Sequence, residues 1–225
     1  MNKLRIFTSV LCLSFGLSPL FAQNKSDSIP PSGSELIHRG VELYDNGKTE
    51  EALDFYKKVS LSDPNYSTAL YESALVYDNQ GKGELALQKC EEAIELQPDN
   101  VQFSILKGSI LDELGRTNEA IKWLETLKVK YPYNQNLIYN LAICYINKRE
   151  YLKAEALLIK GLHYNPYHTN SHIALGKINY ILGRRAQSYL AYNMGILMNP
   201  RIESLRNLEE AISGKNDSIS RPYRY

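Results

Sequence analysis

QNLIYNLAICYINKREYLKAEALLIKGLHYNPYH, residues 135–168, is the stretch whose reading decides the fold. Ile138, Leu141, Ala142 and Tyr145 recur at i, i+3, i+4 and i+7, the spacing that lays one buried stripe along a helix. Asn147-Lys148-Arg149 forms a polar turn, and Ala154, Leu157, Leu158 and Gly161 mark the face of a second helix. Pro166 ends that helix, because its ring leaves no N–H to donate and biases Asn165 toward extended backbone. Outward from this stretch, Pro64, Pro98, Pro132, Pro166 and Pro200 stand 34 residues apart. A fixed period of that length means an array of helix pairs, each burying its apolar face on its neighbours.

Small residues keep the same period. Gly40, Ala74, Gly108, Ala142 and Gly176 fall on the first helices, and Ala52, Ala86, Ala120, Ala154 and Ser188 on the second. They permit close helix–helix approach, and a bulkier side chain there would overpack at a cost of about 1–3 kcal/mol. The first repeat reads Leu36, Arg39, Gly40, Leu43, Ala52, Tyr56, Pro64; the second reads Leu70, Ser73, Ala74, Tyr77, Ala86, Cys90, Pro98. The third reads Ser104, Lys107, Gly108, Leu111, Ala120, Leu124, Pro132, and the fifth, the loosest, His172, Leu175, Gly176, Asn179, Ser188, Tyr192, Pro200. This order resembles the tetratricopeptide repeat over residues 33–202. The resemblance implies an all-α fold: a right-handed superhelical solenoid of five helix-turn-helix repeats, at 33–66, 67–100, 101–134, 135–168 and 169–202, closed by a C-terminal capping helix. It also implies protein binding without catalysis. Arg39, Lys107 and Asn179 stand where the family usually carries apolar residues, so looser packing is expected at the end repeats.

Lys3 and Arg5 precede an apolar run over 6–17 and then Pro19-Leu20-Phe21-Ala22. A basic start, a short apolar core and a small residue before polar chain read as a secretory signal peptide over 1–22, with the mature protein beginning at Gln23. The run falls short of the ~20 apolar residues that a spanning helix wants. Residues 23–32 read as a flexible leader, and Ser34 as the N-cap of the first helix. Past the repeats, Leu205, Leu208 and Ile212 continue a face begun by Ile202 along a helix over 203–214, with Glu203, Arg206 and Glu210 outward, as a solenoid cap requires. Residues 215–225 read as a disordered tail. Asp27-Ser28-Ile29 and Asp217-Ser218-Ile219 resemble the O-glycosylation triplet of Bacteroidetes envelope proteins. Together these flanks predict an exported bacterial protein, in the periplasm or associated with the outer envelope.

The 225 residues carry 26 basic and 25 acidic side chains; removing Lys3 and Arg5 leaves 24 against 25, a formal charge of −1. That balance argues against nucleic acid, which calls for a basic domain. Repeat by repeat the charge runs −3, −5, +1, +2 and +4, so acidic and basic ends predict a weak, salt-dependent self-association. Cys90 and Cys144 fall two repeats apart, beyond the ~7 Å that a disulfide spans, and read as buried free thiols. His163, His168 and His172 surround Pro166 without the two-histidine spacing or nearby carboxylate of a metal site. No glycine-rich phosphate loop, Gly-x-Ser-x-Gly elbow or Cys-x-x-Cys pair occurs. The expectation is therefore no catalytic residue, no metal or other cofactor, and no small-molecule substrate.

The face of the first helices opposite their packing stripe carries the candidate site. Followed in steps of three, four and three from the second place of each repeat, it passes Leu75, Gln102, Ser109 and Asn136, and its candidate binding residues are Ile37, Tyr44, Tyr71, Asp78, Ile105, Asp112, Tyr139, Ile143, Asn170, Ile173 and Tyr180. The resemblance implies that this face lines a concave groove holding a peptide. It does not extend to the clamp some members use for a terminal carboxylate, because Ile37, Val41, Glu72, Gln102 and Leu106 occupy those places. Aliphatic and tyrosine side chains with a polar rim suit an apolar-sided helix or an extended segment of a protein partner. A second reading has the same residues merely packing adjacent first helices. The functional expectation is a scaffold or adaptor in envelope assembly or secretion. Its rivals are the binding module of a longer envelope enzyme or transporter, and a self-assembling structural protein.

Overall fold

The computed structural model describes residues 30–199, and every regular element among them is a helix. In chain order these are α1 (Gly33–Asp45), α2 (Thr49–Lys57), α3 (Tyr66–Asn79), α4 (Gly83–Leu96) and α5 (Val101–Glu113). They are followed by α6 (Thr117–Lys130), α7 (Gln135–Asn147), α8 (Tyr151–Tyr164), α9 (Thr169–Ile181) and α10 (Arg185–Met198). The signal peptide over 1–22, the capping helix over 203–214, the tail and Pro200 lie outside the described residues. Among the described residues no helix is long and apolar enough to cross a membrane.

Each odd helix passes to the next even helix through one turn geometry. Gly47, Gly81, Gly115 and Gly183 hold φ between 73° and 77°, the left-handed region that a Cβ disfavours. The residue after each closes the helix end by donating back to a carbonyl: Lys48 N–H to Leu43 at 2.9 Å, Lys82 N–H to Tyr77 at 2.9 Å. Arg149 makes the same turn at φ 62° despite its side chain.

Within each pair, a large residue of the even helix sits on a small residue of the odd one. A Cβ on Gly40 would lie 2.3 Å from the Tyr56 ring, one on Gly108 2.5 Å from Leu124, and one on Gly176 2.7 Å from Tyr192. Ala52, Ala86, Ala120, Ala154 and Ser188 are wholly buried, and the Ser188 hydroxyl donates to the Gly176 carbonyl at 2.9 Å. The small-residue period is thus a close-approach requirement. Polar intruders are accommodated individually. Lys107 sets its ammonium over the Trp123 ring, Nζ 4.6 Å from the centroid, and meets Glu91 at 2.7 Å. Asn179 is buried, while Arg39 stays exposed and pairs with Glu42 at 2.9 Å. Cys90 and Cys144 are free and buried; the Cys90 thiol donates to the Phe103 carbonyl at 3.1 Å.

The first helix corrects one expectation. Its N-cap is Ser32, and Ser34 falls inside the helix. The Ser32 hydroxyl accepts from Glu35 N–H at 3.3 Å while the Glu35 carboxylate accepts from Ser32 N–H at 2.7 Å. Only a cap three residues before Glu35 satisfies both donors reciprocally. Asp63 adds an acceptor for Gly33 N–H at 2.9 Å.

Successive helices pack on one another along the chain, and odd helices also touch each other, α1 on α3, α5 on α7 and α7 on α9. The Tyr71 ring of α3 stacks on Phe103 of α5, so the odd helices make one continuous wall, and that wall carries the site.

Candidate functional site

The odd-helix wall holds a groove of about 370 Å³. From α3 it takes Tyr71, Leu75 and Asp78. From α5 come Gln102, Ile105, Leu106, Ser109, Asp112 and Glu113, and from α7 Asn136, Tyr139, Asn140, Ile143 and Asn147. His168 and Asn170, where α9 begins, close the far end. The α5 and α7 sets share one register, i, i+3, i+4, i+7 and i+11, so each is a single helical face turned to the same side.

The floor is apolar and half-buried. Ile105 is only 6% exposed and belongs to the core, with Tyr71 and Leu75 packed against the same cluster. The Tyr71 ring stacks on Phe103 with centroids 5.0 Å apart, and Tyr139 meets the His168 ring edge-on at 5.4 Å. Packing and groove-lining are thus properties of the same side chains, and for Ile105 packing dominates.

The rim is polar. Asn147 Nδ2 donates to Asp112 Oδ2 at 2.6 Å, tying the ends of α7 and α5 together. Asn140 Nδ2 donates to the Asn136 carbonyl at 2.8 Å. His168 caps α9: its Nδ1 accepts from Ser171 N–H at 3.2 Å and lies 2.8 Å from the Ser171 hydroxyl, which accepts from Gln135 Nε2 at 2.9 Å. Accepting at Nδ1 leaves the ring proton on Nε2. Burial, helped by His172, lowers the His168 pKa, so the ring is neutral near pH 7. Three carboxylates then line the groove, and neither Lys nor Arg does. On α3, burial and then Asp45 raise the Glu72 pKa, and burial followed by Glu72 raises that of the Tyr71 hydroxyl.

Seven of the residues expected on this face meet in the groove: Tyr71, Asp78, Ile105, Asp112, Tyr139, Ile143 and Asn170. Ile37 and Tyr44 instead pack against the α1–α2 core, and Ile173 approaches Gly195 of α10. Tyr180, like these three, is not among the lining residues. The sequence reading missed Leu106, Glu113, Asn140, Asn147 and His168. Leu106 and Asn140 sit at i+4, and Glu113 and Asn147 at i+11, of stripes that were followed only in steps of three, four and three.

The arrangement offers apolar contact and amide hydrogen bonding, and its thiol neighbours are not poised for attack. Burial pushes Cys90 up to about 12, which keeps the thiol protonated and poorly nucleophilic. His172 Nε2 bonds the Pro166 carbonyl at 2.8 Å. Among the described residues no group of three or more His, Cys, Asp or Glu is placed to hold a metal ion.

Residues 39–101 match the tetratricopeptide repeat family model, and residues 75–175 match a model described as the N-terminal tetratricopeptide repeats region of Psidin. Protein O-mannosyl-transferase TMTC3 of Homo sapiens is 31% identical over 143 residues, 61% of this chain and 15% of that protein. A TPR repeat-containing protein of Methanocaldococcus jannaschii is 25% identical over 180 residues, 77% of this chain and 32% of its own length. The chain thus spans less than a third of the length of these curated relatives. A thermophilic TPR protein of Thermus thermophilus superposes with a TM-score of 0.71 at 20% identity, over 81% of this chain and 99% of that one. PilW, a type IV pilus biogenesis factor, gives 0.67 at 17% identity over 81% and 86%. YrrB, a TPR protein with an unusual peptide-binding site, gives 0.51 at 20% identity over 83% and 94%. At these identities the structural likeness establishes the solenoid fold.

Proposed function

We propose that this chain, whose body is built of tetratricopeptide repeats, is a non-catalytic scaffold that holds a segment of a partner protein in the groove formed by α3, α5, α7 and the start of α9. The observation that carries this reading is the groove itself: a half-buried aromatic and aliphatic floor under an amide-rich rim, on the wall that the odd helices share. Such a surface is too apolar to be a solvated face and too open to be core. The peptide-binding site named for YrrB and the pilus-biogenesis role named for PilW support the same class of work. The signal-peptide pattern over 1–22 supports a cell-envelope setting for that work, and the intact mass of exported material should be that of a chain beginning at Gln23. Material retaining 1–22 would argue against export of a processed protein.

A second reading is favoured by one observation. The match to the human transferase covers 15% of that protein, which fits repeats serving as one binding module of a longer polypeptide.

Replacing Tyr71 and Tyr139 by Ala tests the groove. Aromatic anchors in a desolvated centre carry ~2 kcal/mol or more each, and ~1.4 kcal/mol is a factor of ten. Partner capture should therefore fall at least tenfold per lost anchor while helicity is retained. Full capture by a folded double variant would move binding off this wall.

A further inference from the structure

We infer that the outer face of α8 and α10 docks on a membrane surface carrying anionic lipid, with its leucine and isoleucine side chains among the acyl chains and its cations at the head groups. The face lies on the even helices, away from the groove, and stands whether or not the groove holds a partner. It emerges when one helical face is followed from repeat to repeat. Places spaced i, i+4 and i+7 on α2 hold Glu50, Asp54 and Lys57. One period on, α4 holds Glu84, Gln88 and Glu91 there, and α6 holds Asn118, Lys122 and Glu125. The same places then turn apolar: Leu152, Ala156 and Ile159 on α8, then Ala186, Leu190 and Asn193 on α10, with Met194 and Leu197 beside them. Leu152 is 65% exposed, Ile159 56%, Leu190 65% and Leu197 71%. Leu152 and Ile159 stay exposed although α9 and α10 follow α8, so this row is the outer side of the repeats and not an end awaiting the next helix. Exposed apolar side chains gathered in one patch mark an interaction surface.

Charge chooses the occupant. Residues 169–202 contain no acidic side chain. The one carboxylate on α8 or α10, Glu155, is taken by Arg184 at 2.7 Å, a pair that also ties α8 to the start of α10. Lys160 and Arg185 are exposed on these helices and meet no carboxylate among the described residues. An apolar stripe flanked by free cations is the pattern that seats a helix in the interface of an anionic membrane, where each cation near the surface adds attraction. Tyr189, 55% exposed on α10, adds a ring with a polar tip, the kind of side chain that settles at such a boundary. A second copy of the chain fits worse. This face against itself sets cation against cation, and the acidic outer faces of α2 and α4 would bury Glu50 or Glu84 against leucine.

The test floats the chain beginning at Gln23, which retains every described helix, with phosphatidylcholine vesicles containing or lacking phosphatidylglycerol. The protein should float with the phosphatidylglycerol vesicles and be released as added salt screens its cations. Leu152→Asn/Leu190→Gln borrows the side chains that Asn118 and Gln88 carry at the same places, so helicity should match the parent while vesicle affinity falls tenfold or more. Lys160→Ser/Arg185→Ser should lose as much, and Tyr71→Ala/Tyr139→Ala, in the groove, should lose none. Equal flotation with both kinds of vesicle, unchanged affinity in either face variant, or no flotation of the parent would overturn the inference. A dimer that Leu152→Asn/Leu190→Gln dissociates would give the face to a second copy, and a discrete protein crosslinked from a photoreactive residue at 159 would give it to a protein partner; either would overturn lipid as the occupant.

Discussion

Arg149 shows how a single residue departs from a pattern its neighbours obey. Four of the five turns between paired helices place glycine in the left-handed region, and the fifth places Arg149 there at φ 62°. A side chain in that conformation costs roughly 1–2 kcal/mol, while glycine costs about 0.5–1 kcal/mol in chain entropy. Arg149→Gly should therefore stabilise the protein by about 0.5–1 kcal/mol, seen as a melting temperature higher by a few degrees. An unchanged or lower value would mean that the Arg149 side chain stabilises the turn by contacts of its own. The sequence shows a polar turn at 147–149 but not its handedness, because arginine hides the position where glycine announces it. Ser32 was hidden in a similar way. Two serines flank Gly33, and only the reciprocal bond with Glu35 chooses between them.

At the level of elements, helix ends on the odd wall use one device. Asn100 caps α5 and Asn134 caps α7, and one period later His168 caps α9. A histidine cap works only while Nδ1 is bare, and protonation would also set a positive charge at a helix N-terminus, where the dipole opposes it. Burial lowers the folded pKa of His168 below its ordinary 6.5, so the unfolded chain binds the proton more readily. Its contribution is thus fully present above pH 6.5 and is lost as pH falls below that value toward the folded pKa. Against a His168→Asn variant, the parent should lose melting temperature between pH 7.5 and pH 5; parallel profiles would contradict the cap's role. Stepping 34 residues from Asn134 reaches His168, so this element was readable. Grouped with His163 and His172 around Pro166 it reads only as a failed metal site, which hides the cap.

For the whole molecule, the 34-residue period was the legible part, because close helix packing leaves so little choice. Tyr56 over Gly40, Leu124 over Gly108 and Tyr192 over Gly176 tolerate no added carbon, and the sequence records each constraint. Of the face expected to bind, the groove gathers mainly the residues of the middle repeats. Tyr71, Ile105, Tyr139 and Ile143 pack helices and line the groove at once, so residue type alone does not separate the two roles. At the first repeat the stripe leaves the groove because the core claims it, as at Ile37 and Tyr44. The central claim is that the partner lies along the odd helices. Site-specific photo-crosslinking in the native cell tests it most directly, with a photoreactive residue at Ser109, which lines the groove, or at Ile159, exposed on α8 of the even set. The prediction is a discrete protein adduct from position 109 that disappears when Tyr139→Ala is added, and none from position 159; adducts from 159 with none from 109 would contradict it.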